Sequence, residues 1–373
     1  MRKASAVIVS ILSVGALLTA CSATSPETEG PAGEAQVPLE LTYAAAIGAD
    51  TSLGKEAQSL MSAITKATDG AITFQPFWAS SLVPGDQLLD AVQDGRVDSA
   101  MVPSPYEPDT LPFLSIVSIP FLTNSAEAQV RAVTDLYAQG GVFKEQFDKQ
   151  GLQVLGFNSA TTPSVLGVKE PVNSLSDLAG QRIRSSGLQG EALAELGVQP
   201  VSLAFGEIYE SVERGVVDGF FGVPFELAVS SGLTEVTPYL VDTGFGNFAI
   251  NVAMVMKKDT FDGLTPETQE ALLAIGSDLI DPWLLDLAAA EKAACKKFLD
   301  DGGTVTVIST LESTTWKQSA QAKVIERWRD DVEAAGWSRK DGEAFYKDYV
   351  DAIAQYDTDD ATYTDGFRAC GDS

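Results

Sequence analysis

The chain is 373 residues long, carries 25 Lys and Arg against 52 Asp and Glu for a formal charge of −27, and contains no histidine. Lacking histidine, it has neither the usual base near neutral pH nor the commonest transition-metal ligand, so Ser-His-Asp and Cys-His chemistry is excluded. The acidic excess disfavours nucleic acid and anionic lipid surfaces as partners, because both are held through Lys and Arg.

Met1-Arg2-Lys3 is a basic start, residues 6–20 are apolar or small, and Leu18-Thr19-Ala20-Cys21 closes the segment. That pattern is an export signal, and its apolar run falls short of the roughly 20 residues a spanning helix needs. Leu-Thr-Ala-Cys resembles the lipobox of bacterial lipoproteins, which implies cleavage before Cys21 and acylation of that residue. Residues 1–20 therefore read as a lipoprotein signal peptide. Residues 21–37, rich in Ser, Thr, Pro, Gly, Glu and Ala, read as a flexible tether.

From Pro38 onward the pattern is α/β, and the length suits two domains. Residues 39–43 alternate as a strand does, and a helix follows from about Ser52 to Thr68, ended by Asp69-Gly70. Residues 72–77 form a second strand, 84–94 a helix and 99–102 a third strand. Asn124-Ser125-Ala126-Glu127 resembles a capping box opening a helix to about Ala138, which Gly140-Gly141 closes. Residues 152–158 are apolar enough for a strand buried on both faces.

The plan then repeats, with a strand at 181–185, a helix at 189–196 stopped by Gly197, a strand at 201–203, a helix at 206–214 and a strand at 219–221. Residues 249–257 form a long strand that can cross between lobes. Thr265 caps a helix with Pro266 in its first turn, and the helical pattern runs to Asp301, about 54 Å at 1.5 Å per residue. That length spans both lobes, and Pro282 should kink or split it. Residues 305–309 are a strand, and 318–335 and 341–355 are amphipathic helices.

Two stretches echo one another: Asp90-Ala91-Val92-Gln93-Asp94-Gly95-Arg96-Val97-Asp98-Ser99 and Glu210-Ser211-Val212-Glu213-Arg214-Gly215-Val216-Val217-Asp218-Gly219. Each leaves a helix through a Gly and enters a strand at Val-Asp, so two similar α/β lobes are expected with strand ends facing across a cleft. The expected lobes are 38–158 plus about 249–285, and 159–248 plus about 286–373, with hinge strands near Asn158 and Ala249. No Gly-x-Gly-x-x-Gly or Walker-type loop occurs, and neither a cofactor nor a metal is expected. With Cys21 lipidated, Cys295 and Cys370 remain as an even pair in an oxidising compartment, and a disulfide between them is expected. Two separate thiols are the alternative, since spacing does not show that their Cα atoms meet.

The ordered succession Gly151-Leu152-Gln153-Val154-Leu155-Gly156-Phe157, Ser174-Leu175-Ser176-Asp177-Leu178-Ala179-Gly180-Gln181-Arg182-Ile183-Arg184, Leu196-Gly197-Val198-Gln199-Pro200-Val201, Phe205-Gly206-Glu207-Ile208-Tyr209 and the second echo resembles the extracytoplasmic solute-binding proteins of TRAP transporters. Ile119-Pro120-Phe121-Leu122 and residues 82–98 fit the same family's first lobe. The resemblance covers nearly all of residues 38–310. It implies a two-lobed periplasmic-binding-protein-like α/β fold with mixed sheets, hinge strands and a long lobe-spanning helix, tethered outside the cytoplasm and delivering an organic acid to a membrane permease.

In that family an arginine on the strand equivalent to residues 181–185 grips the ligand carboxylate, and the matching position here is Arg184. A planar guanidinium suits the task because it donates two parallel hydrogen bonds to a carboxylate. Arg182 shares its side-chain parity, so alternation alone does not choose between them. The chain departs from some family members at Ser164, where a second ligand arginine can stand, and at Phe221 and Gly222, where an Asn or Glu is common. Those departures, with Trp78, Tyr106, Phe220 and Phe221 nearby, favour a monocarboxylate with an apolar or aromatic body. Asn158, Asn247 and Asn251 are candidates for its remaining oxygens. An ABC-type solute-binding lipoprotein is the nearest alternative, and a carboxylate-pair hydrolase the alternative from another class.

Overall fold

The computed structural model of the protein describes residues 36–158, 164–246, 251–357, 367 and 370. Eleven strands are described: β1 (Leu39–Ala44), β2 (Ile72–Phe77), β3 (Ser99–Pro103), β4 (Leu152–Phe157), β5 (Ser164–Val168), β6 (Arg182–Ser185), β7 (Gln199–Ser202), β8 (Gly219–Pro224), β9 (Tyr239–Asp242), β10 (Asn251–Lys257) and β11 (Thr304–Val307). They form two mixed sheets, ordered β2-β1-β3-β10-β4 and β11-β9-β5-β8-β6-β7. Each sheet contains the same parallel unit. β1 lies between β2 and β3 in the first, and β6 between β7 and β8 in the second.

The sequence echo is the joint that builds this unit. Gly95 and Gly215 adopt left-handed φ of 81° and 71°, the conformation that stops a helix without a Cβ penalty. The Asp three residues on then ties its strand to the neighbour. Asp98 accepts from the Thr42 N–H of β1, and Asp218 from the Arg182 N–H of β6, each at 2.8 Å. Next to each unit an antiparallel strand joins the sheet: β10, from late in the chain, beside β3, and β5, directly after β4, beside β8.

The helical stretch after Thr265 is divided. Pro266–Asp278 and Ile280–Asp300 meet at Leu279, where Pro282 has no N–H to give the carbonyl four residues back. The 21-residue second part still spans the lobes. Trp283 donates to Ser59 Oγ at 2.6 Å on the first lobe's helix Ser52–Ala67, while Phe298 packs edge-on to Phe225 of the second lobe at 6.5 Å. The helix Thr310–Ala334 is a second strut, because the Trp316 indole donates to Ala192 O and the Trp328 indole to Pro112 O, both at 2.8 Å. The helix Arg339–Tyr356, placed by sequence with the second lobe, lies on Ala126–Gln139, and Gln129 donates to its Tyr349 hydroxyl at 3.3 Å. Cys295 and Cys370 form a disulfide with Cα atoms 5.4 Å apart. Among the described residues no helix is long and apolar enough to cross a membrane.

Candidate functional site

The carboxyl ends of the parallel strands of both sheets converge on one cavity, the place where open α/β sheets bind ligands. The hollow, counted together with the open solvent at its mouth, comes to about 650 Å³. Ala46 and Ile47, just past β1, and Met101 and Pro103 of β3 form the first lobe's wall. Gly222, Val223 and Pro224 of β8, with Phe205 and Leu227, form the second. The polar side chains that line it are those of Arg184, Tyr106 and Ser186.

Arg184 is 3 % exposed. Its Nε donates to Leu203 O at 2.9 Å, its Nη1 to Phe221 O at 3.5 Å and its Nη2 to the Tyr106 hydroxyl at 3.1 Å. Among the described residues no carboxylate stands at ion-pair distance from it. Burial pulls the guanidinium below its ordinary value, opposed by the Tyr106 hydroxyl and by Glu207. An arginine stays charged in any protein environment, so this is a desolvated cation with no carboxylate at ion-pair distance among the described residues. Among the described residues three of its five N–H groups are engaged, leaving one on each terminal nitrogen to donate to a ligand.

Gly222 shapes the floor. In the β5–β8 ladder Val165 faces Val223 and Leu166 faces Phe221, so Gly222 is an extra residue in β8, a bulge with φ +83°. The bulge divides its neighbours. The Phe221 ring meets Phe245 at 4.9 Å and Trp316 at 6.3 Å, inside the second lobe, while only its carbonyl reaches Arg184. A Cβ on Gly222 would come within 1.8 Å of the Gln189 side-chain amide.

Of the sequence candidates, Arg184, Tyr106 and Gly222 thus line one cavity. Trp78 lies outside its lining, edge-on to Tyr43 at 5.6 Å. Asn158 is buried at the end of β4 and donates to Glu56 at 3.2 Å. Asn251 begins β10, opposite Pro103 in register; its side chain, like Asn247 and Cys21, lies outside the described residues. Sequence reading missed Ser186, Phe205, Pro105 and Leu227 as site residues; Phe205 opens a family segment but was given no role there, and the other three carry no motif of their own.

Comparison with known proteins places the chain. The family model for bacterial extracellular solute-binding proteins, family 7, matches residues 43–331. A monocarboxylate 2-oxoacid-binding periplasmic protein of Nostoc sp. is 31% identical over 291 residues, covering 73% of this chain and 78% of its own. Two TRAP solute-binding proteins of solved structure share the fold. One, from a marine metagenome, specific for aromatic acid ligands and complexed with 3-hydroxybenzoate, has TM-score 0.75 and 24% identity over 86% of this chain and 100% of that one. The other, from Rhodoferax ferrireducens with copurified benzoate, has TM-score 0.74 and 23% identity over 85% and 98%. The protein belongs to the family 7 extracellular solute-binding proteins, the solute receptors of TRAP transporters.

Proposed function

We propose that the cleft captures a monocarboxylate with an apolar or aromatic body and that the closed protein presents it to a TRAP-type permease. The observation that carries this reading is Arg184, a buried cation with no carboxylate partner among the described residues, facing an otherwise apolar cavity. Leaving such a charge unpaired costs several kcal/mol, roughly, and an entering carboxylate relieves that cost. One cationic fork with apolar walls accommodates one carboxylate; a second would be desolvated against Ile47, Met101 and Leu227 without compensation. The Nostoc relative that binds monocarboxylate 2-oxoacids agrees in ligand class. Ser186 and the Phe205 ring complete the proposed ligand-binding set with Arg184, Tyr106 and Gly222. Asn158 and Ala249, the latter outside the described residues, are read as hinge positions, and Cys21 as the lipid anchor that holds the receptor outside the cytoplasm. No chemical step is assigned to the cleft.

A thermal-shift panel tests the class. Aliphatic and aromatic monocarboxylates should raise the melting temperature, since ligand at 100 times Kd adds about 2.7 kcal/mol, while their primary amides and dicarboxylate analogues should not. Equal shifts from acids and amides would remove the carboxylate from the reading.

A further inference from the structure

Beside the cavity the hydroxyl of one tyrosine carries hydrogen bonds from one lobe to the other. Tyr106 follows β3 in a single turn, Ser104–Tyr106, closed by Glu107 N–H to Ser104 O at 3.3 Å. Its ring rests on the first lobe at Gly85, where an added Cβ would lie 3.7 Å from Cε2. Its oxygen is held by the second lobe, accepting from Arg184 Nη2 at 3.1 Å and from the Phe205 N–H at 2.9 Å. The adjacent backbones are close as well: Gly187, at φ +54°, stands where a Cβ would meet Pro105 O at 3.1 Å.

A tyrosine oxygen that accepts two N–H groups has spent its accepting capacity and retains one proton to donate. Among the described residues that proton has no acceptor, and the hydroxyl lines the cavity. We propose that Tyr106 is a positioning latch: from the first lobe it fixes the Arg184 fork and the Phe205 amide of the second, and its own O–H donates a hydrogen bond to the bound anion. Resting on the reading of the cavity as a carboxylate site, this links occupancy to closure. An acid that accepts from the Tyr106 O–H and the two open Arg184 N–H groups bridges both lobes through three donors, whereas a ligand without an acceptor at that point leaves the phenol proton buried and unmatched.

The test is Tyr106→Phe, which keeps the ring. In the ligand-free protein the Phe205 amide loses its acceptor, and its hydrogen exchange should accelerate about tenfold while the melting temperature falls by only a few degrees. With benzoate and pyruvate as probes, dissociation should also be faster by about tenfold. Unchanged Phe205 exchange overturns the latch whether or not either acid binds. Acid binding that survives Arg184→Ala overturns the carboxylate reading instead, and Phe205 exchange still judges the latch on its own.

Discussion

Arg182 and Arg184 stand two residues apart on β6, and Asp218 separates their roles. It accepts the Arg182 N–H at 2.8 Å, Nε at 3.2 Å and Nη2 at 2.7 Å, so Arg182 is committed to a half-exposed pair at the strand's entry. Arg184, at the exit, is buried with no such partner among the described residues. Alternation puts both on one side of the sheet; the strand's polarity puts only the second at the cleft.

Asp218→Ala therefore tests structure without touching the site. The ion pair is exposed and contributes little, but the backbone N–H of β6 loses its acceptor. We expect a loss of about 1–2 kcal/mol in urea unfolding with ligand affinity within about threefold of wild type. A large loss of affinity would place Arg182 in the site.

Gly222→Ala should damage both stability and binding. The new Cβ meets the Gln189 amide at 1.8 Å, and φ +83° is strained for any L side chain. A cost of at least about 2 kcal/mol is expected from the two effects, read by denaturant midpoint. A neutral result would mean that the bulge in β8 is not held as described.

Glu107 sets a pH dependence. Burial, reinforced by Asp90, Asp86 and Asp109, pushes its carboxyl up to about 8 from the ordinary 4.5. Between those values the folded state keeps a proton that the unfolded state has lost, so this contribution is complete below about 4.5 and is lost as pH rises towards 8. The slope is at most about 1.4 kcal/mol per pH unit. Glu107→Gln should flatten the fall in urea stability between about pH 5 and pH 8. Parallel curves for the two proteins would contradict the assignment.

Reducing the Cys295–Cys370 disulfide, whose cysteines are 75 residues apart, releases a long loop in the unfolded state. A stability loss of about 4 kcal/mol is expected by loop-closure entropy. The double Cys→Ser variant unfolding at the wild-type denaturant concentration would show that the tie contributes nothing.

Much of this architecture was legible because local signals agreed. The paired Gly-x-Val-Asp joints announced the repeated β-α-β units, and the bounds expected for the second strand, 72–77, match those observed. β5 and β9 were missed because they are short, Ser164–Val168 and Tyr239–Asp242, with no alternation to set them apart. Gly140-Gly141 read as a stop, yet the two left-handed glycines, at φ 85° and 63°, turn the chain straight into a further helix, Gly141–Lys149. Within the site, Arg184 came from a family motif, whereas the direction of Phe221 was hidden by the one-residue bulge at Gly222, which no periodicity reveals. Phe205 and Ser186 were unreadable for a different reason: their role comes from what the other lobe brings against them.

The central claim is that the unpaired fork of Arg184 recognises the acid. Isothermal titration of the best monocarboxylate from the thermal-shift panel into wild type, Arg184→Lys and Arg184→Ala measures it most directly. The alanine variant should lose about 2–5 kcal/mol of binding, with lysine intermediate because it keeps the charge and loses the fork. Wild-type affinity in Arg184→Ala would contradict the account.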